Sequence, residues 1–146
     1  MTTKELSPLV MAGVAAGMAI SSQAQSATDL VARLKSKDDD VRGDAWQQAG
    51  PAGAAAVGPV AALWTDADFE VARSAKRAGW NIVRHAGRPG APKEARAVEQ
   101  ALLPLLGHAE AAVRREAVWR LSEVGGNVSV GPLAKMRSDR EGKDDA

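Results

Sequence analysis

The chain has no cysteine and no tyrosine, a single phenylalanine, Phe69, and only two histidines, His85 and His108. Without thiols there is no disulfide framework, no Cys-ligated zinc or iron–sulfur cluster, no c-type haem attachment and no Cys nucleophile. The same absence expresses no preference between oxidising and reducing compartments. Each histidine is followed by alanine, so the His-Glu pairs that hold two irons on paired helices are missing. No serine has an evident histidine partner for nucleophilic catalysis. Gly50 to Gly58 lacks the Gly-Lys-Ser/Thr of a phosphate-binding loop. Asp38-Asp39-Asp40 lacks the spacing and the bidentate Glu of a calcium loop and reads as a helix cap. No catalytic residue, metal ligand or cofactor site is expected.

What the chain does have is alanine throughout, four tryptophans, and no clustered alternation of strand-favouring residues. This composition favours helix, and 146 residues suffice for one all-α domain with a continuous core.

The first 26 residues differ from the rest. Lys4 precedes an uncharged, mostly apolar run from Pro8 to Ile20, and Ser22-x-Ala24 and Ala24-x-Ser26 then place small residues at signal-peptidase spacing. The expectation is a cleaved secretory signal over 1–26 and an exported protein, periplasmic or secreted. Glu5 weakens the positive n-region, and the alternative is a retained N-terminal helix in a cytoplasmic protein. The run falls short of the roughly 20 residues of a spanning helix, so no membrane span is expected.

From residue 27 onward one phrase is written three times: Val41-Arg42-x-x-Ala45, Val71-Ala72-x-x-Ala75 and Val113-Arg114-x-x-Ala117. Seven residues before each Val stands a bulky apolar residue, Leu34, Trp64 or Leu106, across a short turn rich in Asp or Glu. The pattern predicts helix pairs at about 28–35 and 41–49, 55–64 and 68–84, and 92–106 and 109–124, broken by Gly50-Pro51-Ala52-Gly53 and by the loop from Gly87 to Pro92. An apolar segment from Val128 to Met136 is expected to cap the last pair, and the residues beyond 137 form a polar, flexible tail.

Helical pairs with an acidic turn and a second helix opening Val-Arg-x-x-Ala resemble HEAT repeats, in particular the short kind found in phycobilisome-lyase-like proteins. The resemblance covers residues 28 to 136 and implies a right-handed α-solenoid of about three helical pairs plus a C-terminal capping helix. It also implies Asp to Arg contacts stacked between neighbouring repeats, which Ala72 interrupts in the middle copy, and a concave face lined by the second helix of each pair.

At ~100° per residue, Val71, Ala75, Ala78 and Ile82 share the core side of the middle copy, and Arg73, Arg77, Trp80 and Arg84 share the opposite side. The same register gives Arg115, Trp119 and Ser122 in the third copy and Gly43 and Gln47 in the first. Charge is segregated along the chain. Residues 72–96 hold Arg73, Lys76, Arg77, Arg84, Arg88, Lys93 and Arg96 against Glu94 alone, while 27–71 hold eight acids (Asp29, Asp38, Asp39, Asp40, Asp44, Asp66, Asp68 and Glu70) against four bases (Arg33, Lys35, Lys37 and Arg42). The middle of the domain should therefore attract anions.

These observations predict a non-catalytic protein-interaction module that meets an acidic protein through Arg73, Arg77, Trp80, Arg84, Arg115 and Trp119. The same arginines also read as solvated charge, and Trp80 as packing against the loop 88–92. Two other classes share the fold type: HEAT-like alkylpurine DNA glycosylases, with a basic concave face, and bilin lyases. The near-neutral net charge of +1 disfavours a duplex binder, and nothing in the sequence requires a chromophore.

Overall fold

Turn aspartates set where two of the helices begin. In the computed structural model, which describes residues 26–144, Asp38 Oδ1 accepts from the N–H groups of Asp40 (2.9 Å) and Val41 (3.3 Å). Asp68 Oδ1 does the same for Glu70 (3.0 Å) and Val71 (3.4 Å). Such caps satisfy donors that the first helical turn leaves without an acceptor. The third copy has Glu110 at this place without a side-chain cap; its N–H instead donates to His108 Nδ1 at 3.1 Å.

The described residues form seven α-helices and no strand: α1 (26–34), α2 (Asp39–Gln47), α3 (Ala54–Ala61), α4 (Phe69–Ala86), α5 (Pro92–Leu102), α6 (Ala111–Val124) and α7 (Asn127–Asp144). Short 3-10 turns lie at Gly50–Ala52 and Leu103–Gly107. No helix among them is long and apolar enough to cross a membrane. The segment expected to be an N-terminal signal falls, but for Ser26, outside the described residues. α7 runs to Asp144, across the boundary expected at 137.

The helices pack in two layers. α4 lies between α2 and α6, and behind this row α3 packs on α4 and α5, and α5 on α6. Leu34, Trp64 and Leu106, the three residues seven places before each Val, are all buried, as are Val71, Ala75, Ala78 and Ile82. Within the phrase itself one copy differs: Val41 is 36% exposed, whereas Val71 and Val113 are 3% and 2% exposed.

The arginine of the phrase works inside its own turn. Arg42 donates to the Ser36 carbonyl at 2.7 Å and pairs with Asp39, and Arg114 donates to the carbonyls of His108 (2.7 Å) and Ala109 (2.8 Å). Both reach back to a carbonyl six residues earlier, which ties the turn to the helix that follows it. The contacts expected between neighbouring repeats are thus not made by these arginines, because a side chain this close to its own turn satisfies the nearest carbonyls first. Copies one and two are joined instead by Lys37 Nζ and Asp68 Oδ2 at 3.0 Å, and by Asn81 Nδ2 donating to the Trp46 carbonyl at 2.7 Å. The bond from Lys37, with those from Val71 and Glu70, holds the Asp68 carboxyl below the usual carboxylate range.

α7 is anchored by a carboxylate from another helix. Glu99 of α5 is buried and its Oε1 accepts from Gly126 N (2.6 Å) and Ser129 N (3.0 Å). A negative group at a helix N-terminus satisfies its free N–H groups and complements its dipole. Burial by itself pushes the Glu99 carboxyl up, but the bonds from Gly126 and Ser129 and the charge of Arg96 outweigh it, and the net direction is down.

Candidate interaction face

α4 carries most of the face. Arg73, Arg77 and Arg84 are exposed along it, and Trp80 is half-buried. Arg115 and Trp119 lie on α6, with Trp119 55% exposed. Phe69, one turn before Arg73 and in the same register, extends the line and is 73% exposed. Treated only as the first residue of a helix, Phe69 escapes a search that starts at Val71; its spacing of four from Arg73 is the signal.

The arginines differ in what holds them. Arg73 is 3.6 Å from Glu70, so an acid does stand beside the stripe. Arg77 lies over the Trp46 ring, 5.0 Å from its centroid, and Arg84 over the Trp80 ring at 5.6 Å. A guanidinium over an indole face is attracted to the ring quadrupole and keeps its N–H edge free for a planar acceptor. Among the described residues no carboxylate lies within ion-pair distance of Arg77, Arg84 or Arg115.

Beneath this row sits a residue the sequence pattern did not single out. Arg120 is fully buried, its guanidinium 4.1 Å from the Trp64 centroid and 5.1 Å from the Trp80 centroid. It donates to Glu116 Oε2 (2.6 Å), the Glu116 carbonyl (2.9 Å) and the Lys76 carbonyl (2.8 Å), and Lys76 Nζ lies 3.6 Å from Glu116. Burial lowers its proton affinity and Glu116 opposes that; an arginine remains charged through such a shift. A buried cation is tolerable only with a partner and hydrogen bonds; here Glu116 and the carbonyls of Glu116 and Lys76 supply them to Nη1 and Nη2, two indole faces cover the group, and Nε alone has no hydrogen-bond partner. Trp80, half-buried, thus has guanidinium groups of both Arg120 and Arg84 against its ring.

Room for Arg120 comes from Gly79. A Cβ there would stand 2.8 Å from Arg120 Nε and 3.2 Å from Trp64 Cζ2. Arg120 occupies the register of Ala78, a core position, so periodicity alone predicts an apolar side chain. The signals that could have found it are the Glu four residues before it and the glycine facing it from the preceding copy.

A cleft lies where the end of α4 meets the 50–55 segment and α5. Its volume is about 440 Å³, and it is lined by Gly50 to Ala55, His85, Arg88, Glu94 and Val98. Arg88 and Glu94 close one side through two bonds of 2.8 Å, Arg88 also donates to the His85 carbonyl at 2.6 Å, and His85 Nε2 is 3.9 Å from Glu94. The Glu94 carboxyl is held down by Arg88, and the Arg88 guanidinium is raised by Glu94. The two charges answer each other and His85 lies at their edge, an arrangement that is neither a nucleophile–base pair nor, among the described residues, a group of three metal ligands.

Compared with known proteins, the chain matches no family model, and no curated protein and no solved structure is significantly similar to it.

Proposed function

We propose that this chain is a non-catalytic HEAT-like repeat module, a right-handed α-solenoid of three helical pairs closed by α7, and that it binds an acidic protein partner on the face formed by α2, α4 and α6. The observation that carries the reading is the pair Arg77 and Arg84, each seated over a tryptophan with no carboxylate beside it among the described residues. Cations placed and oriented in advance lose little freedom on binding, and their N–H forks match carboxylates. Export, with removal of residues 1–26, is part of the same reading and rests on the sequence alone.

Binding of the full chain to immobilised poly-L-glutamate at low salt tests the face. The unmodified chain is retained and the double variant Arg77→Glu/Arg84→Glu is not. Equal retention of the two would place the acidic contact elsewhere.

A further inference from the structure

Resting on the reading above, we infer that the acidic partner is an amphipathic helix of about four turns which sets carboxylates against Arg77, Arg84 and Arg115 and large apolar side chains against Phe69 and Trp119. Charge alone does not account for this face. Phe69 and Trp119 are 73% and 55% exposed, on the same registers as the arginines and on the adjacent helices α4 and α6. Large aromatics standing in water beside oriented arginines are the composition of interface anchors, which contribute through burial when a partner covers them. From Phe69 to Arg84 the line runs roughly 22 Å at ~1.5 Å per residue. A partner helix of similar length spans it, and its own 3.6-residue repeat brings side chains at i, i+4, i+7 and i+11 to one side.

A single-stranded nucleic acid also combines negative charge with flat groups, but it needs free ring faces on which successive bases stack. The Trp46 and Trp80 rings already carry Arg77, and Arg84 with Arg120. Phe69 and Trp119, the exposed aromatics, stand on different helices and form no continuous platform. Glu70 and Glu116 beside the stripe further oppose a polyphosphate, whereas a helix can present a few carboxylates only where an arginine waits.

The test uses fluorescence anisotropy with the full chain and a labelled synthetic helix bearing glutamates along one stripe, with leucine at one end of it and beside its middle. Two further peptides have the glutamates changed to glutamine or the leucines to alanine, and a labelled oligothymidylate completes the set. The parent peptide binds, and both altered peptides bind about tenfold more weakly or worse, the size of effect expected for anchor contacts. Phe69→Ala/Trp119→Ala, whose side chains leave water rather than the core and whose folding is checked by circular dichroism, reproduces the loss seen with the alanine peptide. An alanine peptide as tight as the parent overturns this inference and leaves the acidic-partner reading standing. Tighter binding of oligothymidylate, or parent binding indifferent to Arg77→Glu/Arg84→Glu, overturns both, as does a failure of every probe to bind.

Discussion

Arg120 lies 4.1 Å from the centroid of the Trp64 ring with its side chain wholly out of water, and that pair joins the segments that carry the second and third copies of the phrase. A guanidinium in this position cannot be exchanged for another cation without loss, since the flat delocalised group both stacks and forks. Arg120→Ala removes the partner of Glu116 and opens a void between two tryptophans, and should cost about 3 kcal/mol or more. Arg120→Lys should fall between wild type and Arg120→Ala, because it retains charge but not the stack. Denaturant midpoints for the three proteins check the order.

Gly79→Ala offers a sharper test of the same contact. In an open helix this change stabilises by roughly 1 kcal/mol. Here the new methyl meets Arg120 Nε and Trp64, and Arg120 is pinned by three hydrogen bonds and cannot swing aside. Destabilisation is expected in the wild-type background, and a clearly smaller cost in the Arg120→Ala background, where only the Trp64 contact remains. A double-mutant cycle that shows additivity would mean the two residues do not constrain each other.

Glu99 gives the docking of α7 a pH dependence with a definite sign. Its folded-state proton affinity is lower than in the unfolded chain, so the carboxylate's contribution is complete above the ordinary glutamate range and disappears as pH falls through the lower, folded value. Protection factors of the 127–138 amides, corrected for the intrinsic exchange rate at each pH, should fall on acidification ahead of those of the core helices. In Glu99→Gln that acid sensitivity should be blunted and protection at neutral pH lowered.

Phe69 and Trp119 should be nearly silent in stability. Each substitution to alanine leaves the core untouched, so thermal midpoints should move by no more than the equivalent of ~0.5 kcal/mol. Val71→Ala, two residues from Phe69 on α4 but buried, should cost ~2 kcal/mol.

Much of the helical layout is legible because it obeys a single period. The breaks at Gly50 and Gly87, the caps at Asp38 and Asp68, and the buried line through Val71, Ala75, Ala78 and Ile82 all follow from 3.6-residue spacing and the chemistry of helix ends. Arg120 is illegible by the same rule, because periodicity describes one helix at a time. Its tolerance depends on Gly79, Trp64 and the Lys76 carbonyl, which only packing brings to it. Periodicity leaves the half-burial of Trp80 open for the same reason. The exposure of Val41 has the complementary cause: the phrase encodes an apolar side chain in each copy, but burial depends on what lies against it.

The uneven fate of the four tryptophans has a practical consequence. Trp64 is enclosed, Trp46 and Trp80 are half-covered beneath guanidinium groups, and Trp119 stands in water. With no tyrosine in the chain, ultraviolet emission arises almost wholly from these indoles, and a collisional quencher such as acrylamide divides it by depth. The accessible fraction tracks Trp119, and would shrink if a partner covered the proposed face, while the protected fraction tracks the Trp64 seam between copies two and three. The molecule carries its own two-channel optical gauge, one channel for its surface and one for its core, with no label attached.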